Sequence, residues 1–466
     1  MQQTLPHPPQ MILAASVCML ALSGCSQPAK LPESAGFGPD PDLSSYQAAW
    51  FPTIHVAKAV GWPEGKKPSS PPGTNVTAFA SDLHHPRWLY ELPNGDILVA
   101  ETNHHQKNEE FSLKNWIASK FMKDGGASAE SLNQITLLRD NDGDGIADER
   151  HVFLKDLHSP FGMALIGDTF YVANADALVK FPYQTGQTVI TATPTTVTSL
   201  PAERNHHWTK NILPKQDGSK IYVTVGSNSN VGENGMEIEK ERAAIWEVDP
   251  GSGQHSIYAS GLRNPNGMAW EPDSGDLWVV VNERDELGSD LVPDYMTSVS
   301  QNAFYGWPYS YFGQHVDDRI QPQNPELVSK AVKPDYALGS HTASLGLAPA
   351  RGNQLPEQFK NGMFVGQHGS WNRRPYSGYK VIFVPFEQGK PAGQPIDVLT
   401  EFLDADGQAQ GRPVGVLVDK QGHLLVADDV GNVIWNVKGN GKTVKRDIDS
   451  PASRPSQRSE VEVAEN

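Results

Sequence analysis

From Arg263 to Phe312 the chain reads RNPNGMAWEPDSGDLWVVVNERDELGSDLVPDY and, a few residues later, NAFYGWPYSYF. The Arg263-Asn264-Pro turn can hold an anion, because a planar guanidinium offers carboxylates a rigid fork of donors. The loop Glu283-Arg284-Asp285, running on to Asp290, gathers oxygen donors of the kind a hard cation takes. Tyr305 and Trp307 could stack on a flat ring. Earlier, ERNHHWTKNI carries His206 and His207, imidazoles whose reference pKa of about 6.5 suits a general base. Neighbouring strand positions face opposite ways, which disfavours the doublet as joint ligands of one metal. Asp140-Asn-Asp142-Gly-Asp144-Gly-Ile-Ala-Asp148 alternates carboxylates around a glycine turn, as calcium loops do. It has His151 where an EF-hand needs Glu, and an Asp-Gly hairpin tip reads equally well. Plainer structural readings stand beside these: a proline turn with a surface arginine, a solvated acidic loop, and aromatics packed in a core.

The elements that must position these residues repeat. An apolar-aromatic turn, a Gly or Asp-Gly turn and a β-run ending in a polar residue recur as HPRWLYELPNGDILVAE, SPFGMALIGDTFYVAN and HHWTKNILPKQDGSKIYVTVG. The phrase returns as RNPNGMAWEPDSGDLWVVVNE, SLGLAPARGNQLPEQFKNGMFVGQHG and GRPVGVLVDKQGHLLVADD. The β-runs begin near Ile97, Phe170, Ile221, Leu277, Met363 and Leu424, spaced by about 65 residues. Strand-dense repeats with few helical periodicities predict an all-β, six-bladed β-propeller. Loops at equivalent places in each repeat then converge on one axis.

Outside the repeats, Met11 to Leu22 is an apolar run followed by Leu22-Ser23-Gly24-Cys25. It is too short to span a bilayer, which takes about 20 residues, and fits a secretory signal. Residues 1–25 are therefore expected to be a lipoprotein-type signal peptide with Cys25 as the lipidated residue, although no Lys or Arg precedes Met11. Residues 26–72, rich in Pro, Ser and Ala, read as a tether and lead-in; 73–447 as the propeller; and 448–466 as a disordered polar tail. Cys18 and Cys25 are the two cysteines of the chain, so the mature protein has no pair to oxidise. A formal net charge of −16 excludes nucleic acid as the expected partner.

Taken in order and spacing, these motifs resemble the soluble quinoprotein glucose/sorbosone dehydrogenase family over roughly residues 81–437. Through NERD…GSDLVPDY…FYGWPYSYFG and GQHGSWNR…GYKV they lie nearest its L-sorbosone dehydrogenase-like branch. The resemblance implies pyrroloquinoline quinone (PQQ) and Ca2+ on a six-bladed propeller, and oxidation of an aldose or aldehyde-bearing sugar by hydride transfer to PQQ. It implies His207 as the base and Arg263 and Asn264 against the quinone. Backbone carbonyls of Arg284 and Asp285 would hold the cofactor's calcium, and Asp290 a second, structural calcium. A fifth-blade cation, Lys in glucose-oxidising relatives, would be His368 or Arg373 here. Arg412 matches the last-blade arginines, Thr342 and His341 a loop facing the cofactor, and Asn266 departs from the family's Gln. Glu101 and Asn103 end a strand at the same funnel. The expected setting is the periplasm, with a lipid anchor as the membrane contact and an electron acceptor such as a cytochrome or quinone. Two other functions remain open: a calcium-dependent propeller lactonase, which needs a calcium ringed by Glu, Asn and Asp side chains, and a non-catalytic binding propeller.

Overall fold

A computed structural model describes residues 28–44, 53–103, 125–126, 131–203 and 205–440. The chain forms a six-bladed β-propeller. Each blade is an antiparallel sheet of four or five strands, and its first strand is the innermost. These inner strands are Pro86–Glu91, Met163–Ile166, Ile212–Pro214, Asn264–Trp270, Ser344–Pro349 and Pro413–Val418. Each lies beside the next, and the sixth lies beside the first, so the ring closes.

The second strands are Ile97–Glu101, Thr169–Ala173, Ile221–Val225, Leu277–Asn282, Gly362–Gln367 and Leu424–Asp428. These are the six β-runs read from the sequence. They are apolar because each is covered on both faces by neighbouring blades, as in Leu277–Val281 and Leu424–Ala427, all at most 2% exposed. Around the ring the inner strands approach closely through glycine. A Cβ built on Gly162 would lie 2.5 Å from the Ile212 nitrogen, one on Gly267 2.6 Å from the Leu345 oxygen, and one on Gly415 2.8 Å from the Arg87 oxygen.

The sixth blade joins the two ends of the ring: Thr74–Ala80 pairs antiparallel with Val433–Gly439. The lead-in was expected to be a tether, but its described part is docked. Phe37–Gly38 adds an outer strand beside Leu338 and Ala337 of the fourth blade, and His55 and Ala59 bridge to Asn372 and Ala409. Short extended segments satisfy their backbone groups on a sheet edge without any sequence periodicity. Phe37 fills a cluster with Trp278, Met296 and Leu338. Phe37→Ala is therefore expected to destabilise the fold by about 3 kcal/mol, checked by denaturant unfolding. Cys25, the signal region and the 448–466 tail lie outside the described residues.

Antiparallel pairing places two loops of each blade at the same end. The residue that opens an inner strand faces the one that closes the second strand: Pro86 opposite Glu101, Asn264 opposite Asn282, Ser344 opposite Gln367 and Pro413 opposite Asp428. One face of the ring therefore collects the loops around His85, His207, Arg263, Thr342, His368, Arg412 and Asp429. Tyr305 and Trp307 sit in the insertion between the last two main strands of the fourth blade and are 1% and 3% exposed, so they pack rather than stack on a ligand.

Candidate active site on the funnel face

His207 lies in the loop before the third inner strand. Its Nδ1 is 2.8 Å from the Ser227 carbonyl and 3.0 Å from Ser227 Oγ. That hydroxyl donates to the Ser229 carbonyl, so both atoms facing Nδ1 are acceptors and Nδ1 must carry the proton. Nε2 is left with its lone pair and no partner among the described residues. Burial, then the Arg263 and His206 charges, hold the imidazole pKa well below its ordinary 6.5. It is a neutral base at pH 7. Gly226 makes room for it beside Asn264: a Cβ there would lie 2.5 Å from His207 Cβ and 2.7 Å from Asn264 Oδ1. Asn264 Oδ1 is buried and unpaired among the described residues.

Lys210 fixes this loop. Its fully buried Nζ reaches Asn205 Oδ1 and the carbonyls of His207 and Trp208 at 3.1–3.3 Å, and burial lowers its pKa well below 10.5. Lys210→Met leaves those oxygens unsatisfied. It is expected to reduce kcat about 10-fold or more through misplacement of His207, with a far smaller change in ligand affinity; steady-state kinetics and equilibrium dialysis check the split.

Arg263 is held more tightly than an open anion clamp. Nε donates to the Asn230 carbonyl, Nη1 to the Asn282 and Glu283 carbonyls, and Nη2 to Asn230 Oδ1 and Asp285 Oδ2. The residue is 2% exposed. It ties the third blade to the fourth and lends the site charge rather than a free donor, which corrects its expected role. Asn230, unremarked in the sequence, is the joint between them.

The expected cation loop is also corrected. The Asp285 carbonyl accepts from Arg319 Nη1 at 2.8 Å and from Asn230 Nδ2. The Asp285 carboxylate takes Arg263 and Asn372. His341 and Arg263 hold it low in pKa, although burial pushes the other way. Arg284 is fully buried, paired with Glu283 and Asp317, and donates to the Pro308 and Ser310 carbonyls. The three guanidiniums around this loop are paired with the carboxylates of Glu283, Asp285 and Asp317, so these side chains answer one another. Asp290 accepts from the Lys30 and Leu31 backbone at 2.7 and 3.4 Å, so it anchors the lead-in. Thr342 is fully buried and donates to Asp294 at 3.0 Å, bracing the loop instead of facing the funnel. Burial raises the Asp294 pKa to about 6.

Across the funnel a second group centres on Asp429. Its carboxylate takes Arg87 Nη1 at 2.7 Å, His368 Nε2 at 2.9 Å and His85 Nε2 at 3.5 Å. Burial raises its pKa, but His368, His85 and Arg87 outweigh that and hold it far below 3.8. Burial brings both histidines down to about 4, so at neutral pH they carry no charge. Arg373 donates to the Ser289 and Pro375 carbonyls, which makes it structural and leaves His368 as the fifth-blade residue at the site. Arg412 donates from Nη2 to Tyr379 Oη at 2.7 Å. The Nε atoms of Arg412 and Arg87 are buried and unpaired among the described residues. Asp429 stands at the place in its repeat that Glu283 holds in the fourth, and His85 at the place of Arg263, with Arg87 two residues beyond it.

The Asp140–Asp148 hairpin joins the third and fourth strands of the first blade, at the end opposite the funnel. Asp140, Asp142 and Asp148 bring carboxylate oxygens within 4.8 Å of one another. Asp144, expected beside them, is not in that group; its carboxylate accepts from the Ile146 backbone.

Comparison with known proteins now has a geometry to be set against. A model of the family DUF7133, described as a domain of unknown function, matches residues 71–370. This chain belongs to the DUF7133 family. A second model, described as TrAA12-like, matches residues 313–440 of this DUF7133 member. A PQQ-dependent pyranose dehydrogenase of Coprinopsis cinerea is 23% identical over 362 residues, covering 64% of this chain and 48% of that protein. The chain spans about half the length of the curated relatives it matches. Among solved structures, the holo form of the pyranose dehydrogenase PQQ domain from Coprinopsis cinerea superposes with a TM-score of 0.65. It is 19% identical and covers 82% of this chain and 100% of that domain. A calcium structure of a Trichoderma reesei enzyme of family AA12 also gives a TM-score of 0.65, at 16% identity and with 83% and 99% covered. At these identities the likeness shows the propeller fold alone.

Proposed function

We propose that the chain is a quinoprotein oxidoreductase that oxidises an aldose or aldehyde-bearing sugar, of the sorbosone kind, with PQQ bound in the funnel. The observation that carries this reading is the fixed tautomer of His207, a neutral base with an open Nε2 on the same face as unpaired Arg87 and Arg412 Nε donors and the unpaired Asn264 Oδ1 acceptor. The residues suit such a ligand. PQQ is flat and bears three carboxylates, and Arg87, Arg412 and Asn264 offer buried polar atoms without partners among the described residues. Bound there, PQQ supplies the quinone that accepts hydride from the sugar carbon.

His207 Nε2 takes the hydroxyl proton, with Ser227 fixing the ring through Nδ1. Asn264 orients the reacting end of the pocket, and the Arg263 charge keeps His207 unprotonated until the proton arrives. Arg87 and Arg412 hold anionic groups at the far side. Calcium belongs to the same reading, supported by the Trichoderma reesei calcium structure. Of the two carbonyls expected to hold it, that of Asp285 is already taken by Arg319 and Asn230, so no step is routed through a metal at that loop. We extend the proposal to a periplasmic protein lipidated at Cys25, with a lipid anchor as its membrane contact and a cytochrome or quinone as electron acceptor.

The test is absorbance of purified protein mixed with PQQ and Ca2+. Addition of an aldose should bleach or shift the quinone band. Absence of cofactor uptake would remove the reading, and lactone hydrolysis without PQQ would put a hydrolase in its place.

A further inference from the structure

Arg87 occupies a position that no single blade explains. It opens the first blade, pairs with Asp429 of the sixth at 2.7 Å, and lies 5.9 Å from the ring centroid of Trp208, next to His207 in the third. The first and third blades are not neighbours in the ring. A residue that touches both the third and the sixth must lie near the axis, on the floor of the funnel. Its side chain is 12% exposed, and its Nε has no partner among the described residues.

The corner around it has a definite charge. His85 and His368 are neutral at pH 7, each held down to about 4 by burial. Asp429 and the neighbouring Asp428, whose pKa burial raises to about 6, supply two negative charges at neutral pH, and Arg87 and Arg412 supply two positive ones. Both guanidiniums are near enough to His368 to oppose its protonation. Each is anchored by one arm, Arg87 on Asp429 and Arg412 on Tyr379, and each has a buried Nε to offer. Such an arrangement, two pre-set guanidinium forks around a neutral imidazole, matches a flat ligand carrying more than one carboxylate.

We infer that Arg87, held in place by Asp429, binds a carboxylate of the cofactor and supplies the cation that the fifth blade lacks. This rests on the PQQ reading above. His368 then serves as a neutral hydrogen-bonding neighbour, and Asp429 is a positioning residue that fixes the direction of the guanidinium. Trp208 provides the surface that keeps Arg87 flat beside His207.

The experiment titrates the full purified chain with PQQ, and separately with its trimethyl ester, following quenching of protein fluorescence. Arg87→Gln should weaken PQQ binding about 30-fold, the size of one charged hydrogen bond, and leave the affinity for the ester unchanged. A folded Arg87→Gln protein that binds PQQ with wild-type affinity overturns the inference and leaves the proposed function standing. Failure of the wild type to bind PQQ overturns the proposed function itself. Circular dichroism reports folding. Should Arg87→Gln not fold, Arg87→Lys takes its place, since it keeps the charge but loses the fork. Weaker binding of PQQ to that variant supports the inference, and wild-type affinity overturns it.

Discussion

Replacing His207 with alanine is expected to lower kcat by about 100- to 10,000-fold, the usual contribution of a general base, while PQQ affinity stays at the wild-type level. The separation follows from geometry. His207 is held by Ser227 through Nδ1 and presents Nε2 to the funnel, whereas the charged groups assigned to the cofactor, Arg87 and Arg412, belong to other blades. The pH dependence has a definite sign. Burial and the Arg263 charge lower the pKa of His207, so the neutral, active form persists as pH falls through 6.5. kcat/KM should therefore stay level from neutral pH to below 6.5 and drop only in more acidic solution, as Nε2 becomes protonated. Steady-state kinetics on both proteins, with cofactor binding measured separately, check the two halves. A variant that retains cofactor and full turnover would remove His207 from its assigned role.

The second large effect concerns packing. Gly346→Val should destabilise the propeller by about 3 kcal/mol or more through overpacking. Gly346 lies in the fifth inner strand, and any Cβ there collides with the carbonyl oxygen of Val414 in the sixth. The colliding atom is backbone, so no side-chain rotation relieves it. Gly352, in a turn of the same blade, has open space around its Cβ direction but a φ of 89°, so an alanine there reports backbone strain alone. Denaturant unfolding of Gly346→Val, Gly346→Ala and Gly352→Ala separates the two causes. Equal losses for all three would contradict the close-packing account.

The six β-runs were legible because a strand covered by blades on both sides must be apolar along its whole length. Glycines 162, 267, 346 and 415 stand in the same phrases, but only the packed ring shows their use, which is to permit contact between successive inner strands. His207 was legible as a base, yet its tautomer depends on Ser227, twenty residues away and in a different strand ending. Arg263 was misjudged for a related reason. Its donors are taken by Asn230 of the neighbouring blade and by Asn282, Glu283 and Asp285, which strand pairing within its own blade brings beside it. Arg87 and Asp429 were hidden by sequence distance, 342 residues apart, and Arg87 stands two residues past the repeat position held by Arg263 and Arg412. The lead-in escaped because short edge strands leave no periodic trace.

The pairing of Thr74–Ala80 with Val433–Gly439 has a bearing on how the chain matures. During synthesis the first of these strands emerges early and waits, an exposed edge, until almost the whole chain has been made. The Arg87–Asp429 corner waits with it, because one partner comes from the start of the ring and the other from its end. A nascent or truncated chain can assemble His207 and Arg263 but not the charged floor opposite them. A chain cut short before Asp429 is left an open arc in which Arg87 lacks the carboxylate that fixes it.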